Sequence, residues 1–141
     1  MKLFAKTEYA CIAVLELALR HGAGQPVRIR EIAETHGIPA RFLVQILLQL
    51  KGAGIVVSTR GAGGGYQLAR PPEQISLGEV MSIIAGDQPW QSAAGANTPT
   101  TRVLLKTWRD ASEQERQHLR SINFAKLVER CQVDLEQMYY I

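Results

Sequence analysis

Residues 28–70 constrain the fold more than any other stretch of this chain. Two short helical segments, Arg28–His36 and Pro39–Lys51, are separated only by Gly37 and Ile38. Glycine ends the first because it takes left-handed backbone angles, and proline suits the first turn of the second, where its missing N–H would be unpaired anyway. Phe42, Leu43, Ile46, Leu47 and Leu50 give the second helix an apolar inner face, and Gly52-Ala53-Gly54 closes it. Two short helices joined by a tight glycine turn make a helix-turn-helix, a unit whose second helix lies in the major groove of DNA.

A β-branched run, Ile55–Arg60, follows as a strand, and Tyr66–Ala69 reads as the returning one. Between them Gly61-Ala62-Gly63-Gly64-Gly65 forms the turn, which makes the pair a hairpin wing. The glycine run is not a nucleotide-binding loop. A Walker loop needs Gly-Lys-Ser/Thr opening a helix, and here Tyr66 and a strand come next; the βαβ setting of a dinucleotide fold is also missing.

Upstream, Thr7 is placed to cap a helix carrying Tyr9, Ile12, Ala13, Leu15 and Leu17, which ends at His21-Gly22-Ala23-Gly24. Downstream, Ser76 and Glu79 have capping-box spacing before Val80, Ile83 and Ile84, and Gly86 ends that helix. The spacing predicts a longer helix from about Thr101 to Leu119 and a final one after Asn123, with Phe124, Leu127, Val128 and Cys131; the tail from Met138 is too short to read. The expected organisation is a winged helix-turn-helix over 1–86, a loop over 87–100, and two helices over 101–141. The fold class is mainly α with a small β-hairpin.

Charge supports a polyanion partner. Residues 1–72 carry nine Lys/Arg against four Asp/Glu, whereas residues 73–141 carry seven against nine. From Thr35 to Pro72 there are Arg41, Lys51, Arg60 and Arg70 and no carboxylate. Arg41 and Gln45 lie one turn apart, off the apolar stripe, and suit base edges, arginine for guanine and glutamine for adenine. Arg60 stands beside small residues and can reach phosphates or a narrow minor groove.

Catalysis finds little support. His21, His36 and His118 lie at helix ends or on a polar face, and Glu31 and Glu34 face outward, so neither an enzyme nor a metal site is expected. No apolar run is long enough to cross a membrane, and the Met1–Lys6 start followed by Glu8 makes a poor signal peptide. Two cysteines 120 positions apart, Cys11 and Cys131, form no disulfide framework and fit a reduced cytoplasm.

Thr7-Glu8-Tyr9-Ala10, Ile32-Ala33, Gly37-Ile38, Phe42-Leu43-Val44-Gln45, Gly54-Ile55-Val56, the Arg60-Gly61 and Gly63-Gly64-Gly65-Tyr66 wing, and Leu68-Ala69-Arg70-Pro71 together resemble the Rrf-two family of bacterial regulators. The similarity resumes at Ile75–Val80, Trp108-Arg109-Asp110 and Leu127-Val128.

The resemblance implies a dimer on a pseudo-palindromic site, with a long helix crossing its counterpart. The apolar stripe Val103, Leu104, Trp108 and Ala111 needs a partner surface and is the expected dimer contact, and repression is the expected action. The resemblance places Arg41, Val44 and Gln45 at the bases and Arg60 at the minor groove, within a wing that also includes Gly61, Gly63, Gly64 and Tyr66. Relatives often have glutamate where this chain has Val44, so its base preference should differ.

Many relatives also hold an iron–sulfur cluster on three loop cysteines. This loop offers Trp90, Gln91, Ser92, Ala96, Asn97 and Thr98 instead, so no cofactor is expected. Glu8 occupies the place of an acidic ligand in some relatives, and without loop thiolates it reads as a capping or salt-bridging residue. Gating of DNA binding is left to a small molecule in a pocket near Trp90 and Trp108, a partner protein, or oxidation of Cys131 or Cys11. The rival reading is a winged-helix interaction module with weak or no DNA binding, which only the apolar Val44 favours.

Overall fold

A computed structural model describes residues 3–87 and 91–139 of the chain. The first helix, α1 (Ala5–Leu19), starts before Thr7, with Phe4 at its N-cap and no side-chain cap. Thr7 is already helical and buried, so its hydroxyl cannot serve as the expected cap. Ala10, Ala13, Val14 and Leu17 form the inner face of α1, and their modest size lets the helix pack closely on the rest.

Helix α2 (Ile29–His36) ends at Gly37, whose φ of 66° is left-handed, and the Ile38 amide donates back to the Ala33 carbonyl at 3.0 Å. Helix α3 (Ala40–Gly52) has Pro39 at its N-cap with extended backbone, one position before the first turn where the sequence suggested it. The ring fixes φ near the value either position needs, so local preference does not separate them. Leu43, Ile46, Leu47 and Leu50 of α3 are fully buried. Phe42 is only half-buried and tilts against Tyr9, ring centroids 5.9 Å apart.

An ionic cluster joins α1 to α2. The largely buried Glu16 carboxylate lies 3.5 Å from Arg20 and 3.4 Å from His36 Nε2, and Arg20 also donates to Glu31. Glu34 pairs with Arg30 at 3.0 Å. Glu31 and Glu34 are thus exposed as expected, but each has a cationic partner.

The wing is the antiparallel pair β1 (Val56–Thr59) and β2 (Gly65–Leu68), in register from Val56 opposite Leu68 to Thr59 opposite Gly65. Val27 adds a bridge on the other side of β2: its amide donates to the Tyr66 carbonyl at 2.9 Å and the Tyr66 amide returns the bond at 2.8 Å. Two glycines make this possible. A Cβ at Gly65 would lie 2.5 Å from the Val27 carbonyl oxygen, and one at Gly64 would lie 2.3 Å from that of Thr59.

Helix α4 (Leu77–Ala85) is capped by Ser76, whose hydroxyl accepts from the Glu79 amide at 3.0 Å. The reciprocal half of the capping box is missing, because the Glu79 carboxylate takes the Arg70 guanidinium at 2.7 Å instead. Helix α5 (Pro99–Arg120) begins slightly earlier than its apolar periodicity suggests, since Thr98 and Thr101 exchange capping bonds at 3.2 and 2.9 Å. Helix α6 (Phe124–Tyr139) extends well beyond Cys131.

The start of α6 returns to the first core. Phe124 is fully buried with the side chains of α1, α3 and α4, its amide donates to Ile75 at 3.0 Å, and the Leu77 amide donates to Ile122 at 2.7 Å. The C-terminal half of α5 lies along α4, where a Cβ at Gly78 would fall 2.8 Å from the Arg120 backbone nitrogen.

Candidate nucleic-acid interface

Burial of one stripe of α3 leaves the opposite stripe outside. Arg41, Val44, Gln45 and Leu48 are exposed, Val44 to 45%, while the residues between them close the core. Val44 and Gln45 therefore face solvent where a recognition helix would face base edges. Arg41 lies at the N-terminal end, its guanidinium 5.1 Å from the Phe42 ring centroid, a cation–π contact that steadies it without neutralising it.

The wing lies beside this helix. Lys51 at the end of α3 donates to the Ser58 hydroxyl of β1 at 2.7 Å, tying the two together. Arg60, Gly61 and Gly63 are exposed in the turn; Gly64 is buried in it and Tyr66 is half-buried against the core. Gly64 and Tyr66 thus shape and seat the hairpin, whereas Arg60, Gly61 and Gly63 form its outer edge.

The cations bordering this face are not neutralised within the chain. Among the described residues Arg41, Lys51 and Arg60 have no carboxylate partner, whereas Arg20, Arg30, Arg70, Arg116 and Arg120 each have at least one. Unneutralised cations flanking an exposed polar helix face form a site for a polyphosphate backbone. Sequence reasoning counted Lys51 only as charge and missed Arg28, which donates to the Ala62 carbonyl of the wing turn. The signal for Arg28 was an arginine at a helix N-cap, where Ser, Thr, Asn or Asp would be ordinary.

Val103, Leu104 and Trp108 lie in the N-terminal half of α5 and Ala111 just past its middle; all four are exposed, the first three to 67, 47 and 48%. Trp90 lies outside the described residues. Trp108 does not line the apolar groove that does exist, which runs between α1, α4 and α6 past Cys11, Ile12, Leu15, Met81 and Leu127. Glu8 stands exposed in the first turn of α1 at the rim of that groove. Among the described residues it makes neither the capping bond nor the salt bridge expected of it. No described helix is long and apolar enough to cross a membrane.

A helix-turn-helix with a glycine-tipped wing and an acid-free cationic border defines a DNA-binding regulator of the winged-helix class. The chain belongs to the Rrf2 family, whose profile, described as an iron-dependent transcriptional regulator, matches residues 3–130. It is 37% identical over 134 residues to the HTH-type transcriptional regulator IscR of Sodalis glossinidius, covering 91% of this chain and 79% of that one. Among solved structures it is similar to CymR, the global cysteine regulator of B. subtilis, with a TM-score of 0.77 and 31% identity over 92% of this chain and 98% of that one. It is also similar to T. potens IscR, with a TM-score of 0.76 and 30% identity over 93% and 88% of the two chains. These relatives are transcriptional regulators and not enzymes.

The family description implies iron, and the residues here do not fit an iron–sulfur cluster. The described loop residues 91–98 contain no cysteine or histidine. Cys11 is half-buried on α1, where burial pushes its thiol up to about 11, away from the thiolate that ligation requires. Cys131 lies on α6, and no group of three or more His, Cys, Asp or Glu gathers among the described residues.

Proposed function

We propose that this chain is a sequence-specific transcriptional regulator that binds a pseudo-palindromic operator as a homodimer, acts as a repressor and works without an iron–sulfur cluster. The observation that carries the DNA-binding part is the exposed Arg41–Val44–Gln45 face of α3 beside a wing, bordered by cations that no carboxylate neutralises. The same cations weigh against an interaction module that has given up DNA. The exposed apolar stripe of α5 supports the dimer, and two-fold symmetry then supports an operator with two half-sites. Repression follows if such a dimer occupies a promoter in place of polymerase.

Equilibrium binding across a salt series tests the docking. Arg60→Ala should weaken binding to every duplex and flatten the log–log salt slope by roughly one unit, the loss of about one phosphate contact. Gln45→Ala should leave the slope unchanged and cost about 1–3 kcal/mol, mainly on the preferred operator. If Gln45→Ala weakens operator and scrambled DNA equally, α3 is not the reading helix.

Cluster-free operation has its own measurement. Protein purified without oxygen is expected to be colourless, with iron and acid-labile sulfide far below stoichiometric. Charge-transfer absorption in the visible together with about two irons per chain, the content of the smallest such cluster, would overturn this part.

A further inference from the structure

We propose that Arg28 is a positioning residue for the wing, fastening its tip to the start of α2 and so fixing the path of Arg60 toward DNA. The inference rests on the DNA-binding reading above and adds to it a residue outside both the recognition helix and the hairpin.

Arg28 occupies the N-cap of α2, and no side chain there caps the helix. Its guanidinium instead crosses to the wing and donates to the carbonyl of Ala62, in the middle of the turn. The backbone delivers it there. Val27, the preceding residue, pairs with Tyr66 through two hydrogen bonds of 2.9 and 2.8 Å, and Gly65 is the residue whose missing Cβ permits that approach. Glu31, one turn further along α2, would compete for the guanidinium, but Arg20 holds it. Arg28 has no carboxylate partner among the described residues, so its contact with the wing is unopposed.

The mechanical need is plain from the sequence of the tip. Four of the five residues from Gly61 to Gly65 are glycine, which leaves the loop more conformational freedom than residues with side chains would. Ordering it on DNA would cost affinity, and a contact that orders it beforehand removes part of that cost. Arg60 leads directly into this turn, so whatever fixes Ala62 also limits where Arg60 can point.

Two measurements decide the matter. In the free protein, hydrogen exchange at the Gly64 amide, which donates to Gly61 at 3.0 Å within the turn, should be about three- to tenfold faster in Arg28→Ala, with α3 amides unchanged. On DNA, Arg28→Ala should weaken binding by about three- to tenfold, while Arg28→Ala combined with Arg60→Ala should be no weaker than Arg60→Ala alone by more than about twofold. Unchanged Gly64 exchange, or unchanged DNA affinity, would overturn the proposal. So would additive losses with a further drop in salt slope, because Arg28 would then be a phosphate contact in its own right. A wild-type protein without salt-dependent duplex binding would instead overturn the function reading, and the exchange measurement still judges the Arg28–Ala62 contact.

Discussion

Leu104→Asp is expected to yield monomers and to weaken operator binding by roughly a hundred- to ten-thousandfold, the advantage lost when two linked half-site contacts become one. Val103, Leu104, Trp108 and Ala111 fall along one side of α5, ahead of the stretch from Ser112 that lies against α4, and all are exposed. An apolar stripe of this kind on an otherwise polar helix needs a partner surface. A carboxylate at its centre would have to be desolvated there without a counter-charge. Leu104 takes no part in the core, so the variant should remain folded. Sedimentation at micromolar concentration is the check. A monomeric wild type, or a dimeric variant with undiminished binding, would refute the dimer stripe.

Phe124→Ala should destabilise the protein by about 3–5 kcal/mol, the usual cost of emptying a fully buried phenylalanine site. Phe124 is packed with α1, α3 and α4, and its amide and the Ile122 carbonyl bond to Ile75 and Leu77 beside it. The start of α6 is therefore expected to unfold together with the winged helix. Urea denaturation of both proteins at one concentration measures this, since unfolding of a dimer depends on concentration. A loss under about 1 kcal/mol, or a wild type that melts in two separated steps, would show that α6 is not part of that core.

Much of the reading head was legible because its determinants are local. The α3 stripe follows from a 3.6-residue period, and the wing from β-branched residues around a glycine cluster. The errors arose where a distant residue competed with a local preference. Thr7 has the right side chain for a cap, but α1 begins at Ala5 and buries it. Glu79 has the right spacing for a capping box, but Arg70, nine positions upstream, takes its carboxylate. Arg28 reaches Ala62 across 34 positions, a pairing no periodicity reports. The apolar groove is set by the packing of α1, α4 and α6, which no local pattern reports.

The close crossing at Gly78 has a mechanical consequence. With no side chain between them, α4 and the last turn of α5 interlock in one register, since a Cβ at that position would meet the Arg120 backbone and side chain, both at 2.8 Å. Slip between the two helices would drive larger residues into the same gap, so a shear motion is closed to this joint. A displacement imposed on the N-terminal half of α5 is then expected to turn that helix about the crossing rather than slide it along α4.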